Sequence, residues 1–111
     1  MDKQQAVARF AALSQETRLE IIRYLVKAGA EGASAGILAS HVGVSASALS
    51  FHLSTLTHAG LVSSKRQSRQ IIYTIDFEAL GALITFLLED CCEQNSELLT
   101  RCGITLETPC C

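Results

Sequence analysis

A chain of 111 residues with 49% apolar residues is the size of one globular domain. Its N-terminus carries no basic segment ahead of a long apolar run, and no window reaches the ~18 consecutive apolar residues of a membrane span. We therefore expect no signal peptide, no membrane span and a cytoplasmic location. A net charge of -2, taken alone, argues against non-specific binding to nucleic acid.

The first third of the chain is predicted to form two helices. The first spans residues 3–13. Ser14 is the predicted N-cap of the second, which spans residues 15–27 and ends before Gly29 and Gly32. The apolar residues at helical spacing are Val7, Phe10 and Ala11 in the first helix, and Leu19, Ile21, Ile22, Leu25 and Val26 in the second.

Two further helices are predicted on either side of a tight turn. Ser34 is the expected N-cap of a short helix that ends at Gly43. Ser45 is the expected N-cap of the next helix, which runs to about Ala59 and is followed by Gly60 in the left-handed conformation. The residues expected to be buried are Ile37, Leu38 and Val42 in the short helix, and Leu49, Leu53 and Leu56 in the longer one.

The spacing of apolar residues then changes from helical to alternating, which predicts a β-hairpin. Its strands are residues 61–66 and 70–75, joined by a polar tip at residues 67–69. Asp76 is the predicted N-cap of a last helix that runs to about Cys92. The residues of that helix expected to point inward are Phe77, Leu80, Leu83, Ile84 and Leu87.

This order of elements predicts a winged helix-turn-helix, a fold class that is mostly α with a β-hairpin wing (α+β). Two helices joined by a short turn and followed by a two-stranded hairpin are its defining features. We expect residues 1–92 to form the DNA-binding domain. Residues 93–111 are expected to form a tail that contains cysteines.

Charge is distributed unevenly along the chain. Residues 1–31 hold five basic and four acidic groups, and residues 76–111 hold one basic and seven acidic groups. Residues 32–75 hold no Asp or Glu. A surface that faces DNA phosphates excludes carboxylates because like charges repel, so this segment is expected to contain the DNA-binding surface.

In a winged helix-turn-helix the second helix of the motif enters the major groove, and its early residues reach the base edges. Serine hydroxyls in that position donate to or accept from bases and phosphates. Basic residues on the hairpin would contact the backbone and add affinity without sequence information. The residues predicted to contact DNA are Ser45, Ser47, Ser50, Phe51 and His52 on the helix, and Lys65, Arg66 and Arg69 on the hairpin.

Residues 13–25, 44–56, 58–62 and 65–73 carry motifs that together resemble the ArsR/SmtB family of metal(loid)-responsive repressors. Residues 13–25 (LSQETRLEIIRYL) resemble the family's opening helix signature, and residues 44–56 (VSASALSFHLSTL) resemble its recognition helix. Residues 58–62 (HAGLV) and 65–73 (KRQSRQIIY) resemble the lead into its wing. The resemblance covers residues 5–90. It implies that residues 1–92 also form the dimerisation domain, as a homodimer built by the first and last helices. It also implies a repressor that leaves double-stranded operator DNA when an inducer binds.

Two familiar sensor sites of that family are not expected here. Residues 37–49, which match the stretch where one arsenic site has a Cys-x-Cys pair, contain no cysteine. The last helix, where a familiar zinc site uses Asp and His, has Asp76 but no histidine. The inducer site is therefore expected at other residues.

All five cysteines lie in the C-terminal part of the chain, at positions 91, 92, 102, 110 and 111. Cys91, Cys92 and Cys102 are predicted to form a three-thiolate site. Soft thiolates select thiophilic centres, and trivalent arsenic, as arsenite, forms three bonds in a pyramid. Antimonite has the same chemistry. The pattern resembles the family members that sense trivalent arsenic through a C-terminal cysteine cluster.

Other ligands and other classes of protein stay open on the sequence. With Cys110 or Cys111 as a fourth ligand, the site suits zinc or cadmium. The vicinal pair alone suits a methylated arsenical, and disulfide formation would make a redox switch. A thiol enzyme is not expected, because Cys91 and Cys92 lie at a helix C-terminus among acidic residues, which raises a thiol pKa. A protein-interaction module with a degenerate DNA face is the remaining class.

Overall fold

The structure is a computed structural model that describes residues 1–88. This part of the chain is mostly helical with one antiparallel sheet, which confirms the predicted winged helix-turn-helix. The predicted tail and all five cysteines lie outside the described residues. The elements are α1 (Lys3–Leu13), α2 (Glu16–Ala28), β1 (Ala33–Ser34), α3 (Ala35–Val42), α4 (Ala46–His58), β2 (Val62–Gln67), β3 (Gln70–Ile75) and α5 (Phe77–Leu87), with a 3-10 turn at Gly29–Glu31.

The connection between α1 and α2 differs from the prediction by one residue. Ser14 is not the N-cap of α2. Its hydroxyl donates to the Ala11 carbonyl at 2.9 Å, so Ser14 closes the end of α1. The Gln15 side chain takes the N-cap role, because its Oε1 accepts from the Arg18 backbone N–H at 2.9 Å. The longer Gln side chain thus satisfies one of the free N–H groups that begin every helix.

The N-caps of α3, α4 and α5 are as predicted, whereas the predicted end of the last helix near Cys92 lies outside the described residues, in which α5 ends at Leu87. The Ser34, Ser45 and Asp76 side chains accept from the backbone N–H three residues on, at 3.3, 3.2 and 3.0 Å. Gly43 and Gly60 have φ angles of 72° and 81°, the left-handed region in which a Cβ is unfavourable. These local contacts fix where α3, α4 and α5 begin and where the turn between α3 and α4 lies.

Helices α3 and α4 form the helix-turn-helix. The chain bends by 108° between them, within the roughly 90–120° of that motif. Among residues 1–88 no single helix is long and apolar enough to cross a membrane, and α3 with α4 reaches that length and composition only as this bent pair.

The sheet has the order β1-β3-β2, with both pairs antiparallel. The hairpin runs from the pair Val62–Ile75 to the pair Gln67–Gln70, so its tip has two residues rather than the three predicted. Ser68 at the tip has a φ of 55°. Strand β1 was not predicted, because two residues are too short to show an alternating pattern.

Gly32 is required by the approach of β1 to β3. Its φ is 62°, and a Cβ built on it would collide with the Tyr73 backbone carbonyl and lie 2.6 Å from a methyl group of Thr74. The position of Gly32 in the sequence predicts only the end of the second helix. Gly29 alone ends that helix, as the C-cap of α2 with a φ of 63°.

The core lies where α2, α3 and α4 meet the base of the hairpin. The predicted stripe Leu49, Leu53 and Leu56 is buried, which fixes the inner face of α4. The largest fully buried side chains of the described residues are Ile21, Leu25, Leu38, Leu49, Leu56, Leu61 and Leu83.

Several apolar residues predicted to be buried are exposed in the single chain. Ile37 is exposed on α3, and Phe77, Ile84 and Leu87 are exposed on α5, so those four predictions were wrong. Helix α5 is apolar on more than one face, and the domain covers only the face that contains Ala79 and Leu83. Val7 and Phe10 of α1, which contacts α5, are also exposed.

Candidate nucleic-acid interface

Two arginines outside the helix-turn-helix hold α4 in place. Arg9 of α1 donates from Nε to the Ala59 carbonyl at 2.9 Å, at the C-terminus of α4. Arg18 of α2 lies with its Nη1 3.1 Å from Nδ1 of His52, near the middle of α4. Neither arginine was predicted to support the DNA-reading helix, since both partners are distant in sequence. The contacts tie α4 to the two N-terminal helices.

The outward face of α4 is a row of side chains opposite the buried leucine stripe. Ser47, Phe51, Ser54 and His58 recur at helical spacing and are all exposed. The residues predicted from the sequence include Ser47 and Phe51 but not Ser54 and His58, because only the first turns of the helix were expected to reach the bases. Helical spacing could have identified Ser54 and His58, because the steps from Ser47 to Phe51, to Ser54 and to His58 are four, three and four residues.

The serines at the start of α4 have different surroundings. The Ser45 hydroxyl accepts from the Ala48 N–H at 3.2 Å and lies 3.3 Å from the Ser47 hydroxyl. Ser45 is therefore engaged as a cap, and Ser47 lies on the surface beside it. Ser50 is exposed and lines a cleft between α3, α4 and β3.

Phe51 is an exposed large hydrophobic residue of α4, with 65% of its surface open. Its ring meets the His52 ring edge-on, with 5.6 Å between centroids. An aromatic ring in the groove can contact a thymine methyl group. The exposure agrees with the predicted outward orientation.

His52 lies on the flank of α4 and is partly buried. Burial lowers the pKa of its imidazole below the usual value, and the charge of the nearby Arg18 lowers the pKa further. Both effects favour the neutral ring. His52 is thus directed partly toward Arg18 rather than wholly toward solvent.

The hairpin presents its predicted basic residues on different faces. Arg66 pairs with Ile71 on the face that continues through Tyr73, and Tyr73 lines the cleft beside α4. Lys65 pairs with Ile72 and points to the opposite face, because successive strand residues alternate. Arg69 lies in the exposed two-residue tip. Arg66 therefore lies on the same face of the hairpin as Tyr73, beside α4, and Arg69 lies at the tip.

The elements that form this surface carry no carboxylates. All of the acidic residues within the described part of the chain belong to residues 1–31 or to the start of α5. The exposed face of α4 and the wing thus combine hydroxyl, aromatic, imidazole and guanidinium groups. These are groups that bind bases and phosphates.

No three or more His, Cys, Asp or Glu side chains within residues 1–88 lie close enough to hold a metal ion. The predicted ligands Cys91, Cys92 and Cys102 fall outside the described residues, so the three-thiolate site stays a prediction.

The fold and this surface define a winged helix-turn-helix DNA-binding regulator of transcription. A family model described as a helix-turn-helix domain matches residues 13–64. The chain is 42% identical over 84 residues to the HTH-type transcriptional regulator YgaV of Escherichia coli K12. The matched residues are 76% of this chain and 83% of that protein. The chain is 33% identical over 90 residues to the transcriptional activator HlyU of Vibrio cholerae, covering 81% of each chain.

A solved structure of an ArsR-like regulator is also similar to this chain. An ArsR-like transcriptional regulator from Rhodococcus sp. RHA1 superposes with a TM-score of 0.71 and 32% identity, covering 95% of this chain and 96% of that one. The chain belongs to the ArsR/SmtB family of winged helix-turn-helix transcriptional regulators.

Proposed function

We propose that this protein is a homodimeric repressor that binds operator DNA through α4 and the wing. It would leave the DNA when trivalent arsenic binds its C-terminal cysteines. The observation that carries the DNA-binding part is the exposed face of α4 beside an arginine-bearing wing, within a segment that has no carboxylate. Such a surface attracts phosphates at long range and offers donors to base edges at short range.

The proposed dimer rests on the exposed apolar residues of α1 and α5. Leu87 is 66% exposed and Val7 is 62% exposed, and Phe10, Phe77 and Ile84 are exposed as well. Apolar residues grouped on two contacting helices are more costly in water than in an interface. A two-fold dimer would present two copies of α4 to half-sites about one DNA turn apart.

Repression follows from the resemblance to the family, whereas the Vibrio relative is named an activator. Transcription in vitro from the protein's own promoter decides whether the protein represses or activates. A repressor lowers transcript yield when it binds, and arsenite restores the yield. An increase in yield on binding would make the protein an activator and leave its DNA-binding surface unchanged.

Neutralising Arg66 or Arg69 is expected to weaken DNA binding and its dependence on salt. Each lost phosphate contact lowers the slope of log Kd against log salt by about 1, because fewer counterions are released. The measurement is fluorescence anisotropy on a labelled promoter duplex over a range of salt, with Arg66→Gln and Arg69→Gln.

Lys65→Gln is the matched control, since it removes the same charge from the opposite face of β2. Its slope should change less than that of either arginine variant. Equal changes in all three variants would mean that only net charge matters. An unchanged slope in all three variants would show that the wing does not contact the DNA.

The proposed sensor is the trio Cys91, Cys92 and Cys102, which fits trivalent arsenic by the softness and number of its thiolates. Cys91 and Cys92 follow Leu88, the last described residue, by three and four positions. Because α5 carries three of the five residues of the proposed dimer face, a ligand bound by the cysteines that follow it can alter the spacing of the two α4 helices. Such coupling requires about 1–3 kcal/mol of differential affinity.

Replacing both vicinal cysteines is expected to abolish the arsenite response without weakening DNA binding. Wild-type reduced protein on its promoter duplex should be released by arsenite near one equivalent per site. Cys91→Ser/Cys92→Ser should bind DNA as tightly and stay bound. Anisotropy with added arsenite, and antimonite in parallel, measures both.

Cys110→Ser/Cys111→Ser is the control with the same number of thiols removed. It should respond to arsenite like the wild type. If it loses a response to zinc or cadmium instead, the site is a tetrahedral metal site that uses the final cysteines. Release of the Cys91→Ser/Cys92→Ser variant by arsenite would show that the vicinal pair is not the sensor.

A further inference from the structure

The Arg18 side chain joins the end of α1 to the DNA-reading helix. Its Nε donates to the Ala12 carbonyl at 2.7 Å, and its Nη1 lies 3.1 Å from Nδ1 of His52. Gln15 caps the Arg18 backbone N–H at 2.9 Å, which fixes the base of the side chain. The guanidinium group is thus held by one contact to α1 and one contact to α4.

This contact decides which nitrogen of His52 carries the proton. A guanidinium has five N–H donors, no acceptor, and does not lose its proton in proteins. Nδ1 of His52 must therefore accept, which requires a neutral ring with its proton on Nε2. The lowered pKa of His52 is consistent with that neutral ring.

The other ring nitrogen of His52, Nε2, is not engaged within the described residues. The described residues include no hydrogen-bond partner for Nε2, and within residues 1–88 no buried side-chain nitrogen or oxygen lacks a partner. Nε2 of His52 is therefore accessible to solvent. Side chains on a helix lean toward its N-terminus, which here is the end of α4 that would enter the groove.

We propose that Arg18 is a positioning residue for DNA recognition: it fixes His52 in the Nε2–H tautomer, so that His52 donates a hydrogen bond to an acceptor on the DNA. Arg18 need not touch the DNA to do this. The acceptor is a phosphate oxygen or a purine acceptor on a base edge. The inference rests on the proposed DNA-binding function.

A double-mutant cycle between Arg18 and His52 tests the proposal. Glutamine at position 52 places an amide N–H near the position of Nε2 and has no tautomers, so His52→Gln should keep most of the affinity. His52→Asn, whose shorter amide reaches only the region of Nδ1, should lose about five- to tenfold, the worth of one hydrogen bond to DNA.

Arg18→Met should cost about two- to threefold when position 52 is histidine, because only the fraction of rings in the Nε2–H form can then donate, and no measurable factor when position 52 is glutamine. Equal losses in both backgrounds would overturn the proposal, because Arg18 would then act through fold or direct DNA contact. Equal loss on a promoter duplex and on unrelated duplex identifies a phosphate acceptor, and loss confined to the promoter identifies a base edge. Thermal unfolding of each variant checks that the fold is intact.

The tautomer of His52 can be measured directly in the wild-type protein. In ¹⁵N-histidine-labelled protein, two-bond ¹⁵N–¹H correlation spectra distinguish a protonated from a bare ring nitrogen. His52 should show a bare Nδ1 and a protonated Nε2 near neutral pH, and Arg18→Met should give a mixture. A protonated Nδ1 in the wild type would overturn the proposal. Failure of the wild type to bind its promoter would refute the proposed function instead, and leave the tautomer result to stand alone.

Discussion

Ser47→Glu is expected to lower the affinity for promoter DNA by about 100-fold or more, since a like charge placed against phosphates costs several kcal/mol. Ser47 is exposed in the first turn of α4, beside the cap formed by Ser45. A carboxylate there would face the DNA across a surface that otherwise has none. Fluorescence anisotropy on the promoter duplex measures the change, and circular dichroism shows that the helix still forms.

Ser47→Gln is the control for size, because glutamine has the shape of glutamate without its charge. It should lose no more than about tenfold, the order of one or two lost hydrogen bonds. Equal losses for the two variants would show that bulk rather than charge is excluded. An affinity close to that of the wild type for Ser47→Glu would place the DNA on another surface.

Leu56→Ala is expected to lower the free energy of unfolding by about 2–5 kcal/mol, because it removes a large side chain from a packed site and leaves a cavity. Leu56 is 0% exposed, and α4 packs there against α2, α3 and the first strand of the hairpin. Small domains have about 5–15 kcal/mol of stability in total. The variant should therefore unfold at much lower urea concentration and lose DNA binding as a consequence.

Leu19→Ala provides the same chemical change at a site on α2 that is 46% exposed. It should cost well under half as much, because less apolar surface returns to water. Urea denaturation at one protein concentration compares the two, which matters because a dimer's stability depends on concentration. Similar losses for both variants would mean that Leu19 is covered by a partner, and would favour an interface on α2.

The sequence by itself determined the features that depend on residues close together in the chain. The caps Ser34, Ser45 and Asp76 and the left-handed glycines 43 and 60 follow from backbone hydrogen bonds within three or four residues. The buried stripe of α4 follows from helical spacing in the same way. Together with the change to alternating spacing, these signals predicted the order of the elements and the DNA-reading helix.

Tertiary structure decided the features that depend on distant residues. Strand β1 exists because it pairs with β3, and Gly32 is needed because two backbones meet there. Which apolar residues of α5 stay exposed depended on how many of its faces a single domain can cover. The link between Arg18 and His52 spans two helices and involves one rotamer of each side chain. Sequence spacing carries no information on such contacts, because packing alone brings these side chains together.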